Sequence, residues 1–226
     1  MGHARLIIAI DGPSGAGKGT VSRTVAARLG YRYVDTGAMY RAVAWKAGHE
    51  GLDLSDGVSV AALAVRAVFD LSDRVVVDGH DVTRAIRTPA IDQAAAVVAQ
   101  HPPVRAVLVE RQRQYGLDGG LVMDGRDIGS IVFPDADVKV YLDASPEERA
   151  RRRSHDAAHE AGRVIGTARV AEALEVRDHA DRTRPASPLR VAPGAEYLDT
   201  TGLPIADVVD RILALAYARL TSGASS

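Results

Sequence analysis

The chain is 226 residues long, 46% hydrophobic and 25% charged, with 28 basic residues against 29 acidic ones and a net charge of -1. That length suits one α/β domain able to bury most of its apolar surface unaided, and the charge balance argues against a general polyanion binder such as a nucleic-acid protein and against a disordered tail protein. The absence of cysteine excludes a disulfide framework, a thiolate zinc site and a cysteine nucleophile, and suits a reducing compartment.

The N-terminal "MGHARLIIAIDG" offers only five apolar residues before an aspartate, too few for a signal-peptide core or a membrane span, so a cytoplasmic protein with no membrane partner is expected. The run Leu6–Ile10 predicts a strand that ends at Asp11 and opens into "GPSGAGKGT", residues 12–20. Gly12 to Lys18 fits G-x-x-x-x-G-K, in which glycines allow positive φ and let backbone N–H groups approach phosphate oxygens. Gly12, Pro13, Ser14, Gly15, Ala16, Gly17, Lys18, Gly19 and Thr20 are therefore the candidate cradle for a nucleotide triphosphate, with Lys18 bridging its β- and γ-phosphates. Val21, Val25 and Leu29 then recur on one helical face and Gly30 supplies a stop. The residue after Lys18, normally a hydroxyl that ligates magnesium, is Gly19. Magnesium is left to Thr20, to water, or to a carboxylate at the end of a neighbouring strand.

Tyr31–Val34 predicts the second strand, and Asp35, Thr36, Gly37 and Tyr40-Arg41 follow at its carboxyl end, where open α/β sheets bind ligands. A turn and helix cap explains Thr36 and Gly37 equally well; Arg41, one helical turn on, could clamp a phosphate. A helix is expected through "GAMYRAVAWKAG", an antiparallel insert over 65–88 around the turn signal Asp78-Gly79, and a further helix through "PPVRAVLVERQRQYG". The strand Leu121–Met123 ends at Asp124, placed as a Walker-B-like carboxylate would be, and "DGRDIG" sets the cation Arg126 beside the anion Asp127, a pattern for readout or for a local ion pair.

After the strand Val138–Leu142, "SPEERARRR" spaces Arg149 and Arg153 four apart on a helix. In "EVRDHADRTRPASP", Arg177, Asp181 and Arg184 are four and three apart and so share a helix face. Both patterns suit a solvated charged face, or a flap of arginines closing over transferring phosphates. A last strand is expected at Glu196–Leu198, then a helix over 204–220 with Ile205, Val208, Ile212, Leu215 and Leu220 inward and a fraying "TSGASS" tail. The seven histidines form no H-x-x-H or H-E-x-x-H motif, so none is assigned to a metal. Asparagine is absent altogether, so the Asn-Lys-x-Asp motif of GTPases and the metal-binding Asn of protein-kinase loops are both missing.

The strings "IDGPSGAGKGT", "DTGAMYR", "RQR" at 111–113, "DGRDIGSIVFPDADVKVYLDAS" and "RDHADRTRPASPL" resemble those of bacterial cytidylate kinases, from about Leu6 to Leu220, and the G-K-G-T loop is similar to that of nucleoside monophosphate kinases generally. The resemblance implies a P-loop three-layer α/β/α fold with a five-stranded parallel sheet, one domain over 1–226 with a monophosphate-binding insert near 60–90 and a mobile lid near 147–170. It implies transfer of a phosphoryl group from Mg-ATP to CMP or dCMP. Arg41, Arg126 and Arg184 would hold the acceptor phosphate, with Thr36 beside them. Arg177 and Asp181 would hold the ribose, Arg105 and Asp127 would read cytosine, and Arg149 and Arg153 would be lid arginines. Lys18 would act on the donor, and Thr20 and Asp124 would take the magnesium, partly through water. The family often places a base-contacting hydroxyl before the "P-x-V-R" run, where this chain has Ala94, Ala95, Ala96 and Val97. A kinase for another small acceptor, such as a different monophosphate or a shikimate-like acid, and a nucleotide-dependent switch module remain as alternative readings. Nothing marks a dimer seam, so a monomer is expected.

Overall fold

The computed structural model describes residues 5–72, 74–155 and 166–223. The first half runs β1 (Ile7–Asp11), α1 (Lys18–Leu29), β2 (Arg32–Asp35), α2 (Thr36–His49), α3 (Gly57–Arg66), β3 (Phe69–Asp70), β4 (Val76–Val77), β5 (His80–Asp81), α4 (Pro89–Val98) and α5 (Pro102–Gln114). The second half runs β6 (Leu121–Gly125), a π-helical turn (Ile128–Val132), β7 (Val138–Asp143), α6 (Pro146–His155), α7 (Thr167–Thr183), β8 (Glu196–Asp199) and α8 (Ile205–Gly223).

Five strands form one parallel sheet in the order β2-β6-β1-β7-β8, so β1, which feeds the glycine loop, lies at the centre with β6 and β7 on either side. Alternation along β1 assigns its faces: Ile8 and Ile10 pack with Val21, Val25 and the α8 residues Val209 and Ile212, while Ala9 faces Met123, Ile128 and Val132. Each fully buried side chain of this size contributes about 1.5–3 kcal/mol, and this two-sided core fixes the carboxyl edge of the sheet. On α8 the inward residues are Val208, Val209, Ile212, Leu213 and Ala216. Leu215 and Leu220 are only partly buried, and Ile205, expected inward, is 52% exposed because it lies at the start of α8 beside the cleft.

The five expected strands are present, each reaching one or two residues further towards the site than its apolar run. The insert is smaller than 65–88: the antiparallel sheet β3-β4-β5 occupies Phe69 to Asp81, and Val65 and Arg66 belong to α3. Its turn is the expected one, with Asp78 and Gly79 at φ 48° and 79°. Helices α3 and α4 flank it. Asp56 caps α3 through Val58 and Ser59 N–H, and Thr88 with Pro89 starts α4. With α2 and α5 they enclose a second core around Met39, Val43, Leu63, Val98 and Leu108. The helix α8 continues through 221–223, expected to fray. Within the segment expected as a lid, 156–165 lie outside the described residues; 147–155 belong to α6 and 167–170 to α7.

Candidate active site

A cleft of about 670 Å³ opens along the carboxyl edge of β1, β2 and β6, bounded by the glycine loop, α2, α6 and α7. Its donor end is the loop. Gly12 has φ 145°, and a Cβ there would fall 1.9 Å from the Leu142 carbonyl oxygen of β7, so only glycine lets the chain leave the sheet at this angle. Gly15, at φ 82°, lies against the backbone of Arg149, and a Cβ would meet it at 2.9 Å. The loop ends in the left-handed N-cap Gly17, and α1 starts at Lys18 with its positive end towards the cleft.

Lys18 is 7% exposed and donates to the Pro13 carbonyl at 2.7 Å. Burial, followed by the nearby charge of Arg126, holds its ammonium well below the usual lysine range. Asp124 is shifted the other way, its carboxyl pushed up by burial and by the charge of Asp35. One Asp124 oxygen accepts from Tyr33 Oη at 3.2 Å, and Thr36 Oγ1 donates to the Asp124 carbonyl at 2.7 Å. The exposed Thr20 lines the same part of the cleft, and a Cβ on Gly19 would lie 3.5 Å from Tyr33 Oη and 3.6 Å from the Asp124 carboxylate.

The acceptor end is built from α2, the segment after β6, and α7. Arg41 Nη2 donates to Asp35 at 3.0 Å and Arg87 Nη2 donates to the same carboxylate at 3.3 Å. Burial would raise Asp35, but these two guanidiniums hold it at about 2. Arg126 Nε donates to Asp181 at 2.9 Å, and Arg184 Nη1 donates to the other Asp181 oxygen at 3.1 Å. Arg105 Nη2 donates to Asp127 at 2.5 Å in a pair that is almost wholly buried, and the Arg105 guanidinium lies 5.3 Å from the Tyr40 ring centre. The geometry of Asp127 is fixed from below. Asp11, at the end of β1, accepts from Ile128 N–H and Gly129 N–H, both at 2.8 Å, and burial pushes its own carboxyl up to about 6.

These contacts sort the sequence candidates. Arg184 lies past the end of α7, in extended backbone at φ -60° and ψ 142°, so it does not share a helical face with Arg177 and Asp181 as its spacing implied. Its side chain sits among Arg105, Asp181, Asp127 and Tyr40, and burial and Arg105 lower its pKa. Arg177 is placed beside Arg126, Asp92, Asp181 and Arg41, its pKa brought down to about 10 by burial and then by Arg126. Arg153 Nη2 donates to Asp92 of α4 at 2.5 Å, and Arg177 approaches the same carboxylate at 3.8 Å, so one acid ties α6 and α7 to α4 across the cleft. Arg149 does not line the cleft. Its Nε donates to the Ala144 carbonyl, and its Nη1 donates to the Ser14 carbonyl and to Asp178. Arg152 takes the place beside the loop, donating to the Ala16 carbonyl at 3.3 Å and to Thr200 Oγ1 at 2.9 Å. Sequence reasoning passed over Asp11, Arg87, Asp92, Arg152 and Asp178. Where the absent hydroxyl was expected, Ala95 and Ala96 line the cleft wall.

Among the described residues, Arg41 Nε, Arg105 Nε, Arg184 Nη2 and Tyr40 Oη are buried without a hydrogen-bond partner, and all four side chains line the acceptor end. Buried polar atoms are ordinarily satisfied, so this end of the cleft is shaped for a polar ligand.

A phosphate loop facing an arginine- and aspartate-rich pocket on one sheet edge defines a P-loop phosphotransferase. The cytidylate kinase family model matches residues 8–218, and the chain belongs to that family. It is 48% identical over 222 residues to a cytidylate kinase of Desulfitobacterium hafniense (strain Y51), covering 96% of this chain and 95% of that one. Identity to a cytidylate kinase of Solibacter usitatus (strain Ellin6076) is 45% over 221 residues, covering 97% and 95%. A solved shikimate kinase from Acinetobacter baumannii in complex with shikimate aligns at TM-score 0.46 and 18% identity over 96% of this chain and 95% of that one, too distant to carry an argument.

Proposed function

We propose that the protein transfers the γ-phosphoryl group of ATP to CMP or dCMP, giving ADP and CDP or dCDP. The observation that carries the reading is the set of unsatisfied buried donors around the Arg105–Asp127 pair, one cleft away from the phosphate loop. A carboxylate there accepts from the cytosine N4 amine, and an arginine donates to N3 or O2. Uracil presents a carbonyl where Asp127 needs a donor.

In this reading an oxygen of the acceptor phosphate forms the new bond to the γ-phosphorus while the bond to the bridging oxygen breaks, and that electron pair leaves with ADP. No general base is needed, because the acceptor phosphate is already anionic at neutral pH; positioning and charge neutralisation carry the rate. Lys18 and the N–H groups from Gly15 to Thr20 hold the donor phosphates. Arg41, Arg126 and Arg177 converge on the acceptor phosphate, and Asp181, held by Arg126 and Arg184, faces the ribose. Arg184 then belongs with Arg105, Asp127 and Tyr40 at the base, and Thr36 holds the ends of β2 and β6 together beneath the site. Arg153 closes the cleft through Asp92.

The oxygen donors at the loop fit magnesium. The buried Asp124 carboxylate and the exposed Thr20 line the same part of the cleft beside Lys18. Magnesium binds through one or two such groups together with phosphates and waters. Bound there, it would neutralise charge on the β- and γ-phosphates. Among the described residues no helix is long and apolar enough to cross a membrane, and we read the protein as a cytoplasmic monomer.

A coupled ADP-release assay with Mg-ATP against CMP, dCMP, UMP, AMP, GMP and shikimate tests the reading. Release dependent on CMP and dCMP, and weak with UMP, is the expected outcome. Turnover led by shikimate or a purine monophosphate would overturn it, and acceptor-independent slow hydrolysis would point to a switch module.

A further inference from the structure

The Arg149–Asp178 pair lies outside the cleft, yet it grips the glycine loop. Asp178, on α7, is 2% exposed, and Arg149, on α6, is 6% exposed. Asp178 Oδ1 accepts from Ser14 N–H at 3.4 Å, Arg149 Nη1 donates to the Ser14 carbonyl at 3.1 Å, and the two side chains pair with each other. One ion pair thus holds both peptide groups of Ser14, and Gly15 rests on the Arg149 backbone. Asp178 follows Arg177 in sequence and is one helical turn from Asp181, residues that face the acceptor. Burial of such a pair confers little net stability, so its cost points to a use other than holding α6 on α7. That packing is already supplied by Ala150, Val170 and Leu174.

We propose that Asp178 and Arg149 are positioning residues that couple the two substrate sites: seating of the acceptor against α7 sets the loop geometry that receives the donor phosphates. This rests on the cytidylate kinase reading of the cleft. Neither residue touches substrate, so its mark is a coupling factor between ligands, which linkage requires to be the same in both directions.

Calorimetric titration of a non-hydrolysable ATP analogue with magnesium, with and without saturating CMP, measures that factor; CMP alone is titrated first. In the wild-type protein CMP should tighten the analogue by about five-fold or more, a typical lower bound for coupled sites. In Asp178→Asn the factor should fall to about one while each nucleotide alone still binds, and Asp178→Glu should recover part of it. Arg149→Lys, which keeps the charge but not the fork, carries the test should Asp178→Asn fail to fold. Leu174→Ala, which weakens the same helix contact without touching the loop, should melt earlier and keep the wild-type factor. A wild-type factor of one, full coupling in both pair variants, or equal loss in Leu174→Ala would each overturn the proposal. Absence of any heat with CMP alone would instead remove the reading of the cleft.

Discussion

At Asp35, burial and charge act in opposite directions, and charge wins: Arg41 and Arg87 hold the carboxyl at about 2, against an ordinary value of 3.8. The side chain is 22% exposed, so solvent screening is modest. Between those values the unfolded chain binds the proton that the folded one refuses, so stability falls as pH drops from about 4 towards 2 and is fully present above that window. A shift of this size is worth about 2 kcal/mol. Asp35→Asn should therefore be less stable than wild type by about that amount at pH 6, with the difference closing as pH approaches 2. Urea denaturation at pH 6, 4 and 3 reads this directly; parallel stability curves would contradict it. Two further residues are tested by rate. Lys18→Ala should retain its fold and lose turnover by at least about 10²-fold, the size expected when a group aimed at developing charge is removed. Asp127→Asn replaces an acceptor by an amide that can also donate to the uracil O4. The ratio of kcat/KM for CMP over UMP should fall by about 10² or more. An unchanged ratio would take Asp127 out of base reading.

Elements explain why much of this was visible in the sequence and some was not. Strand, glycine loop and helix are local patterns, each set by neighbours within a few residues, and the loop from Gly12 to Thr20 could be read outright. Helix α4 carries local signals too, Thr88 before Pro89, yet it begins just past the expected insert and is not among the expected helices, and two-residue strands such as β4 and β5 have no period to detect. Arg184 shows a local rule overlooked: the residue before a proline is pushed out of helical conformation, and Pro185 ends α7 at Thr183 whatever the charge spacing suggests. The pairings of Asp92 with Arg153 and of Asp178 with Arg149 span 61 and 29 residues and exist only because α4, α6 and α7 meet in three dimensions. Element geometry also gives a stability contrast between two glycines. Gly12→Ala drives a Cβ into the Leu142 carbonyl at a strained φ and should cost about 2–6 kcal/mol, the sum of overpacking and backbone strain. At Gly30 the C-cap φ is 65° but the space is open, so Gly30→Ala should cost only about 1 kcal/mol. Equilibrium urea unfolding of both variants checks the order, and equal losses would mean that the close approach to β7 relaxes freely.

On the scale of the whole molecule, the cleft concentrates positive charge that its own acids only partly offset. The pKa values of Lys18, Arg177 and Arg184 are all lowered by burial and by neighbouring arginines. Like charges gathered in a buried cleft work against the compact state, and two phosphate-bearing ligands would remove the excess from both ends. Binding alone adds about 2.7 kcal/mol to stability at a ligand concentration one hundred times its Kd. For a chain of this length each kcal/mol raises Tm by about 2–4 °C, so saturating CMP or a Mg-loaded ATP analogue should each raise Tm by about 5–11 °C. Independent sites would give a sum; coupling through α7 should make the joint shift larger than that sum in wild type and equal to it in Asp178→Asn. Salt separates the electrostatic part: 0.5 M salt should raise the Tm of the free protein by screening the cleft and shrink the ligand-induced shift. Differential scanning calorimetry with CMP, UMP, the ATP analogue and the CMP–analogue pair, at low and high salt, makes the whole comparison. A UMP shift matching that of CMP would mean that the base end of the cleft reads phosphate and sugar alone.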